Sequence, residues 1–144
     1  MPKPMTTAEI FSFLSEAPRT GHVATVRADG RPHVVPVWFG VDGEDILFAT
    51  SSDTVKSRNL MDQPVAAISV DDEAPPFAFA MVEGTVTIER DMDVVRHWAG
   101  EIAARYMGME WARAYSASDS FPDDMLCRLT PTNITGMASM APDE

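Results

Sequence analysis

The chain has 144 residues, of which 45% are hydrophobic and 23% charged, and its formal net charge at pH 7 is −11. The length predicts a single domain, residues 1–144, and the composition is typical of a globular protein. Eleven basic against 22 acidic residues argue against nucleic-acid binding, which depends on a basic face. No apolar run reaches the ~20 residues of a membrane span. No secretion signal opens the chain, so we expect a cytoplasmic protein.

The first half of the sequence has the punctuation of a helix followed by a β-meander. A capping-box pattern over residues 6–9 predicts the start of a helix, and Pro18 ends it. Asp-Gly pairs at 29–30 and 42–43 predict tight turns. Strands are therefore expected at Val23–Ala28, His33–Val41 and Ile46–Thr50. Pro36, inside the second of these, predicts an edge strand or a bulge.

The second half alternates strands and helices. Asp53 or Thr54 is expected to cap a short helix over Val55–Asp62. Further helices are predicted at Met92–Met107 and Glu110–Ala117, the former with an apolar face of Val94, Val95, Trp98, Ile102 and Tyr106. The stretches VAAISVDD, PPFAFAMVEGTVTIER and MLCRLTPTNITGMA predict strands, the second bent at Gly84. The fold class is mainly β (α+β), an antiparallel barrel of about six strands with peripheral helices, and we expect residues 1–5 and 139–144 to be flexible.

Common catalytic motifs are missing from the sequence. It contains no GxSxG elbow, no Walker loop and no GxGxxG after a strand. His22, His33 and His97 lack metal-ligand spacing, so we expect no metal site and three solvated histidines. Cys127 is the single cysteine, which excludes an internal disulfide and predicts a small buried hydrophobic residue.

The stretch TSSDTVKSRNL, residues 50–60, carries the strongest functional signal. Lys56 and Arg58 fall at the start of a predicted helix, where the helix dipole disfavours cations by ~0.3–1 kcal/mol each. Unpaired amide groups and the two cations together would form an anion site. Hydroxyl groups are available there from Thr50, Ser51, Ser52 and Thr54. The alternative is that both cations point into solvent and pair with Asp53 or Asp62.

A family resemblance rests on this stretch and its neighbours. Strand–hairpin–strand, then LFATSSDTVKSRNLMDQPVAAISV and FAMVEGTVTI, resembles the split β-barrel superfamily of pyridoxamine 5'-phosphate oxidases and related flavin-binding proteins. KSRNL followed by QPVAAISV is most similar to the small deazaflavin-dependent oxidoreductases, which use coenzyme F420. The resemblance covers roughly residues 21–89, with weaker similarity in RLTPTNITGM. It implies an antiparallel split β-barrel and a homodimer with the cofactor at the subunit interface.

The resemblance also implies roles for particular residues. The cofactor phosphate would lie on Lys56, with Arg58 and Asn59 beside it. The end of the preceding strand would contact the phosphate or the ribityl arm through Thr50, Ser51 and Ser52. The strand VVPVWF would lie along the ring, and its candidate residues are Val35, Pro36, Val37 and Trp38. For Trp38, core packing is the alternative. Trp98 or the region 111–115 would complete the pocket across the dimer.

Two departures separate the chain from the oxidases of vitamin B6 metabolism. It lacks their C-terminal substrate-binding tract, and HVVPVWF is neutral where they place an arginine, so that activity is not expected. The resemblance implies an F420-dependent oxidoreductase that transfers a hydride between reduced deazaflavin and a small unsaturated organic substrate. Solvent, Tyr106 and Tyr115 are candidate proton donors, and no catalytic residue is assigned.

Two alternatives to this function stay open. One is an FMN-binding flavoprotein of the same fold. The other is a non-catalytic protein that binds a flavin or a tetrapyrrole. A cationic groove at Arg27 or Arg31 would favour deazaflavin, whose polyglutamyl tail is acidic.

Overall fold

The computed structural model describes residues 1–116 and 124–142, without the side chains of residues 111 and 114–116. Its helices are α1 (Thr7–Glu16), α2 (Val55–Asp62), α3 (Met92–Met107) and α4 (Met109–Ser116). Its strands are β1 (Lys3–Pro4), β2 (Gly21–Val26), β3 (Pro32–Val37), β4 (Gly40–Asp42), β5 (Asp45–Ser51), β6 (Val65–Asp72), β7 (Ala78–Glu89) and β8 (Asp124–Ala138). Ala117, the predicted end of the fourth helix, lies outside the described residues.

The described strands form one antiparallel sheet in the order β3-β2-β6-β7-β8-β5-β4, with β1 added alongside β8. The strands β3 and β4 stand at opposite ends of this order, yet only residues 38–39 connect them in the chain. Because the Cα atoms of Val37 and Gly40 can lie at most about 11 Å apart, the sheet must curl until its ends lie side by side. This confirms the antiparallel split barrel expected from the sequence.

The connection between β3 and β4 corrects one predicted element. A single strand was expected over His33–Val41, but pairing stops at Val37 and resumes at Gly40. The chain passes there from one end of the sheet to the other, so residues 38–39 pair with neither β2 nor β5. Pro36 lies in β3, where it pairs with His22 of β2, and β3 is an end strand as predicted.

The bend at Gly84 is also confirmed. The register between β7 and β8 shifts between Glu83 and Gly84, so that Gly84 faces Pro131. A Cβ atom at position 84 would overlap the carbonyl oxygen of Thr130 on the neighbouring strand. The glycine therefore allows a close approach of two backbones where the barrel turns.

The helix α1 closes one end of the barrel. Its capping box is present as predicted: Thr6 Oγ1 accepts from the Glu9 amide at 3.2 Å, and the Thr6 amide donates to Glu9 Oε1 at 3.0 Å. Ile10 and Leu14 are buried in the main core with the inward side chains of the sheet. The first strand, β1, pairs with the end of β8, with Lys3 opposite Ala138.

The helix α3 covers the outer side of β5 and β8. Val95 packs there against Leu47 and Leu126, and the half-buried Trp98 packs against the same cluster. The predicted apolar face was wrong for Val94, which is exposed. Smaller residues make up the rest of the buried face, which consists of Val95, Ala99, Ile102 and Ala103.

The histidines and the cysteine differ in how well they match expectation. His22 and His97 are exposed, whereas His33 is half-buried, because it alternates inward with Val35 and Val37 along β3. Cys127 is fully buried as predicted, and desolvation raises the pKa of its thiol to about 12. The described residues contain no cluster of three or more His, Cys, Asp or Glu side chains suited to a metal ion. None of the described helices is long and apolar enough to cross a membrane.

Candidate cofactor-binding site

The turn between β5 and α2 places the start of α2 at the barrel wall. Of the two predicted caps, Thr54 is used: its Oγ1 accepts a hydrogen bond from the Ser57 amide at 3.2 Å. Asp53 instead accepts a hydrogen bond from Ser51 Oγ at 2.7 Å. No acidic residue lies in the first turn of α2, so its positive end is not neutralised from within the helix.

Three hydroxyl groups at this turn bond to one another. Thr54 Oγ1 lies 3.2 Å from Thr50 Oγ1 and 2.7 Å from Ser57 Oγ, and the Ser57 hydroxyl also donates to the Ser51 carbonyl. Thr50 and Ser57 are buried. These hydroxyls therefore stabilise the turn. Thr50 was predicted to contact the cofactor, but its hydroxyl is already hydrogen-bonded within the protein. Ser51 and Ser52 are partly exposed.

The replacement Thr54→Ala is expected to lower the free energy of unfolding by about 1–2 kcal/mol, because the cap and its hydroxyl contacts are lost together. Thr54→Ser keeps the oxygen and should recover most of the loss. Urea unfolding of both variants measures this. Equal losses for alanine and serine would show that the hydroxyl does not cap the helix.

Lys56 points into a cavity of about 260 Å³ between α2, the end of β3 and α3. The cavity is lined by Pro36, Val37, Trp38, Ala49, Lys56, Ala99, Ile102, Ala103 and Met107. Within the described chain the ammonium has no hydrogen-bond or salt-bridge partner, so the alternative pairing with Asp53 or Asp62 is not formed. Burial lowers the pKa of Lys56, because desolvation disfavours the charged form. A bound anion would offset that penalty.

The predicted ring-binding strand contributes three of its four candidates to the same cavity. Pro36, Val37 and Trp38 line it beside Lys56, whereas Val35 packs against the main core. Trp38 is 45% exposed, so it is not a core residue. Its indole stacks on the Tyr106 ring, with centroids 4.9 Å apart and planes 4° from parallel.

A second wall of the cavity comes from α3 and was missed from the sequence. Ala99, Ile102, Ala103 and Met107 lie along it. The available signal was that four of the six residues from Ala99 to Ala104 are alanine or glycine, which leaves space beside a helix. Trp98, which was expected to complete a pocket across a dimer, packs on the barrel of its own chain. The side chains of Trp111 and Tyr115, the other candidates for that role, lie outside the description.

Arg58 and Asn59 do not share the Lys56 cavity. Residues two apart on a helix point in nearly opposite directions. Asn59 is buried, and its Nδ2 donates to Thr25 Oγ1 at 3.0 Å, which ties α2 to β2. Arg58 is exposed and borders a second cavity of about 340 Å³, together with Arg27 and Arg31. The predicted cluster is thus divided between two sides of α2.

The Tyr106 hydroxyl is committed to the fold. It donates to the Arg19 carbonyl at 2.7 Å and accepts from the Phe39 amide at 3.3 Å. Desolvation raises the pKa of this phenol. Both features argue against Tyr106 as the proton donor considered above.

Known proteins resemble this chain at the level of family and fold. The family model described as Pyridoxamine 5'-phosphate oxidase matches residues 6–138. The chain belongs to this family. No curated protein sequence matches the chain significantly. Family members bind flavin-type cofactors and include oxidoreductases.

Among solved structures, similar proteins have different recorded functions. An F420 reductase shares 30% identity over 85% of this chain and 94% of its own, with a TM-score of 0.71. A conserved hypothetical protein from Mycobacterium tuberculosis has a TM-score of 0.78 at 22% identity, covering 90% and 82% of the two chains. A haem storage protein from Vibrio cholerae has a TM-score of 0.68 at 23% identity, covering 90% and 94%. The last two show the fold alone.

Proposed function

We propose that the protein is a cytoplasmic, homodimeric F420-dependent oxidoreductase that reduces a small unsaturated organic molecule. The observation that carries this proposal is the position of Lys56. Its ammonium is half-buried and unpaired within the described chain, and it shares one cavity with Pro36, Val37 and Trp38. A cation beside a flat apolar wall suits a ligand with one anionic end and one planar end.

The residues present fit such a cofactor. Lys56, in the first turn of α2, would hold the phosphate at the positive end of that helix. Trp38 and Ile102 would cover the ring and keep water from it. When bound, reduced deazaflavin supplies a hydride from carbon 5 to an electron-poor double bond, so the protein contributes binding, orientation and an apolar surrounding.

The size of the cavity supports a dimeric site. At about 260 Å³ it is smaller than the roughly 300–1,000 Å³ typical of ligand pockets. The exposed Trp38 lies on its wall, next to the end strand β3. A second subunit placed over this side would enlarge and close the site, as expected for a cofactor at a subunit interface.

The arginine groove favours F420 over FMN within the same fold. Arg27, Arg31 and Arg58 surround it, and Asp29 is the single acidic residue on its described wall. Asp29 pairs with Arg31 at 2.8 Å. The guanidinium groups of Arg27 and Arg58 form no hydrogen bond or salt bridge within the described chain, although the charge of Arg27 helps to lower the pKa of Asp29. In a protein of net charge −11, such a groove suits the carboxylates of a polyglutamyl tail, which FMN lacks.

The groove predicts a dependence on tail length. Arg58→Gln and Arg27→Gln should each weaken F420 binding about two- to fivefold, since exposed ion pairs contribute little individually. They should leave a tail-free F420 analogue unaffected. Fluorescence titration at low salt measures both ligands, with Arg90→Gln, outside the groove, as control. A similar loss for the tail-free analogue would place these arginines at the phosphate instead.

The experiment that tests the proposed function is a parallel fluorescence titration of ligand-free protein with F420, FMN and haem. Selective F420 binding, followed by reduction of an unsaturated acceptor with reduced F420, is the expected result. A preference for FMN would move the protein to the flavin branch. Tight haem or flavin binding without turnover would indicate a binding protein, and binding of none would reject the site.

A further inference from the structure

The aromatic wall of the Lys56 cavity is held from behind by α3. Tyr106 stacks on one face of the Trp38 indole, while Trp38 lines the cavity and Tyr106 does not. Since Trp38 is 45% exposed, the part of the indole that Tyr106 leaves uncovered is accessible to a ligand. The nearly parallel planes make the pair a single flat support.

The backbone next to Trp38 is held by the same side chain. The Phe39 amide, one residue along, donates to the Tyr106 hydroxyl, and that hydroxyl donates to the Arg19 carbonyl before β2. Phe39 is fully buried, and the Arg105 guanidinium lies 4.9 Å above its ring. Tyr106 thus joins α3, the entry to β2 and the β3–β4 connection at one point. Without Tyr106, Trp38 would lie on an unpaired stretch of chain, and its side chain would be free to change rotamer.

We propose that Tyr106 is a positioning residue that fixes Trp38 as the stacking surface for the planar ring of the ligand. This role of Tyr106 rests on the proposed function only for the identity of the ligand. Lys56 and Tyr106 then serve opposite ends of the same molecule: Lys56 acts on the anionic end, and Tyr106 acts through Trp38 on the ring. Their variants should therefore respond differently to removal of the phosphate.

The test compares F420 with the phosphate-free deazaflavin chromophore by fluorescence titration. Tyr106→Leu is expected to weaken both ligands by the same factor, roughly five- to tenfold, as lost aromatic stacking does. Lys56→Met should weaken F420 alone. Tyr106→Phe keeps the ring but loses both hydrogen bonds, so it should lower the melting temperature yet bind both ligands within about twofold of wild type. A residue with a purely structural role would not separate affinity from stability in this way.

A double-variant cycle tests whether Tyr106 acts through Trp38. In a Trp38→Leu background, Tyr106→Leu should cause no further loss of affinity. If Tyr106→Leu does not fold, Tyr106→Met is used in its place. Additive losses in the cycle, or an effect on F420 alone, would overturn the role of Tyr106 and leave the proposed function standing. If wild type binds FMN, the same comparison is made with FMN and riboflavin. Binding of no flavin or deazaflavin would overturn both.

Discussion

Replacing Lys56 with methionine is expected to weaken cofactor binding by about 1.5–3 kcal/mol, a factor of roughly 10 to 150. The ammonium is the one charged group on the described wall of the cavity, so no neighbour can take its place beside a phosphate. Fluorescence titration of F420 measures the loss. Lys3→Met is a suitable control, because Lys3 is the other lysine of the chain and lies exposed in β1.

The same variant should not destabilise the ligand-free protein. Methionine keeps most of the side-chain length. It also removes an ammonium group that burial disfavours in its charged form, as the lowered pKa of Lys56 indicates. We therefore expect the melting temperature of the ligand-free Lys56→Met protein to equal or exceed that of wild type, as at sites where function opposes stability. Unchanged affinity would mean that Lys56 does not bind the cofactor. A large fall in melting temperature would mean that Lys56 stabilises the fold.

Gly84→Ala is expected to lower the free energy of unfolding by about 3 kcal/mol or more. The added Cβ would overlap the Thr130 carbonyl oxygen, and backbone on a paired strand cannot rotate away as a side chain can. The overlap is relieved only if β7 and β8 separate where their register shifts. Chemical denaturation of the purified variant measures the effect.

A neighbouring substitution separates this overlap from a general weakening of β7. Thr85→Ala changes an exposed position of the same strand, and we expect it to cost under about 1 kcal/mol. If Gly84→Ala were as mild as Thr85→Ala, the strands would have room to move apart at the bulge. The close packing of the barrel at that point would then be wrong.

Local patterns in the sequence were sufficient for most of the elements. The capping box at residues 6–9, the Asp-Gly turns and the bend at Gly84 all depend on residues close in the chain, and each is present in the structure. The cation at Lys56 was also visible locally, because an unneutralised helix start is a property of a few consecutive residues. The family resemblance then predicted that Pro36, Val37 and Trp38 belong to the same site, and all three line the Lys56 cavity.

What the sequence could not supply depends on contacts between distant segments. The break at residues 38–39 arises because the ends of the sheet meet there. The Tyr106 hydroxyl accepts a hydrogen bond from the Phe39 amide, which lies 67 residues away in the chain. The second wall of the cavity and the separation of Lys56 from Arg58 follow from how α3 and α2 pack on the barrel. The sequence by itself thus determined which groups carry charge and where elements begin and end. Tertiary packing decided which of these groups face the same cavity, because burial and side-chain direction are set by the neighbours that folding brings together.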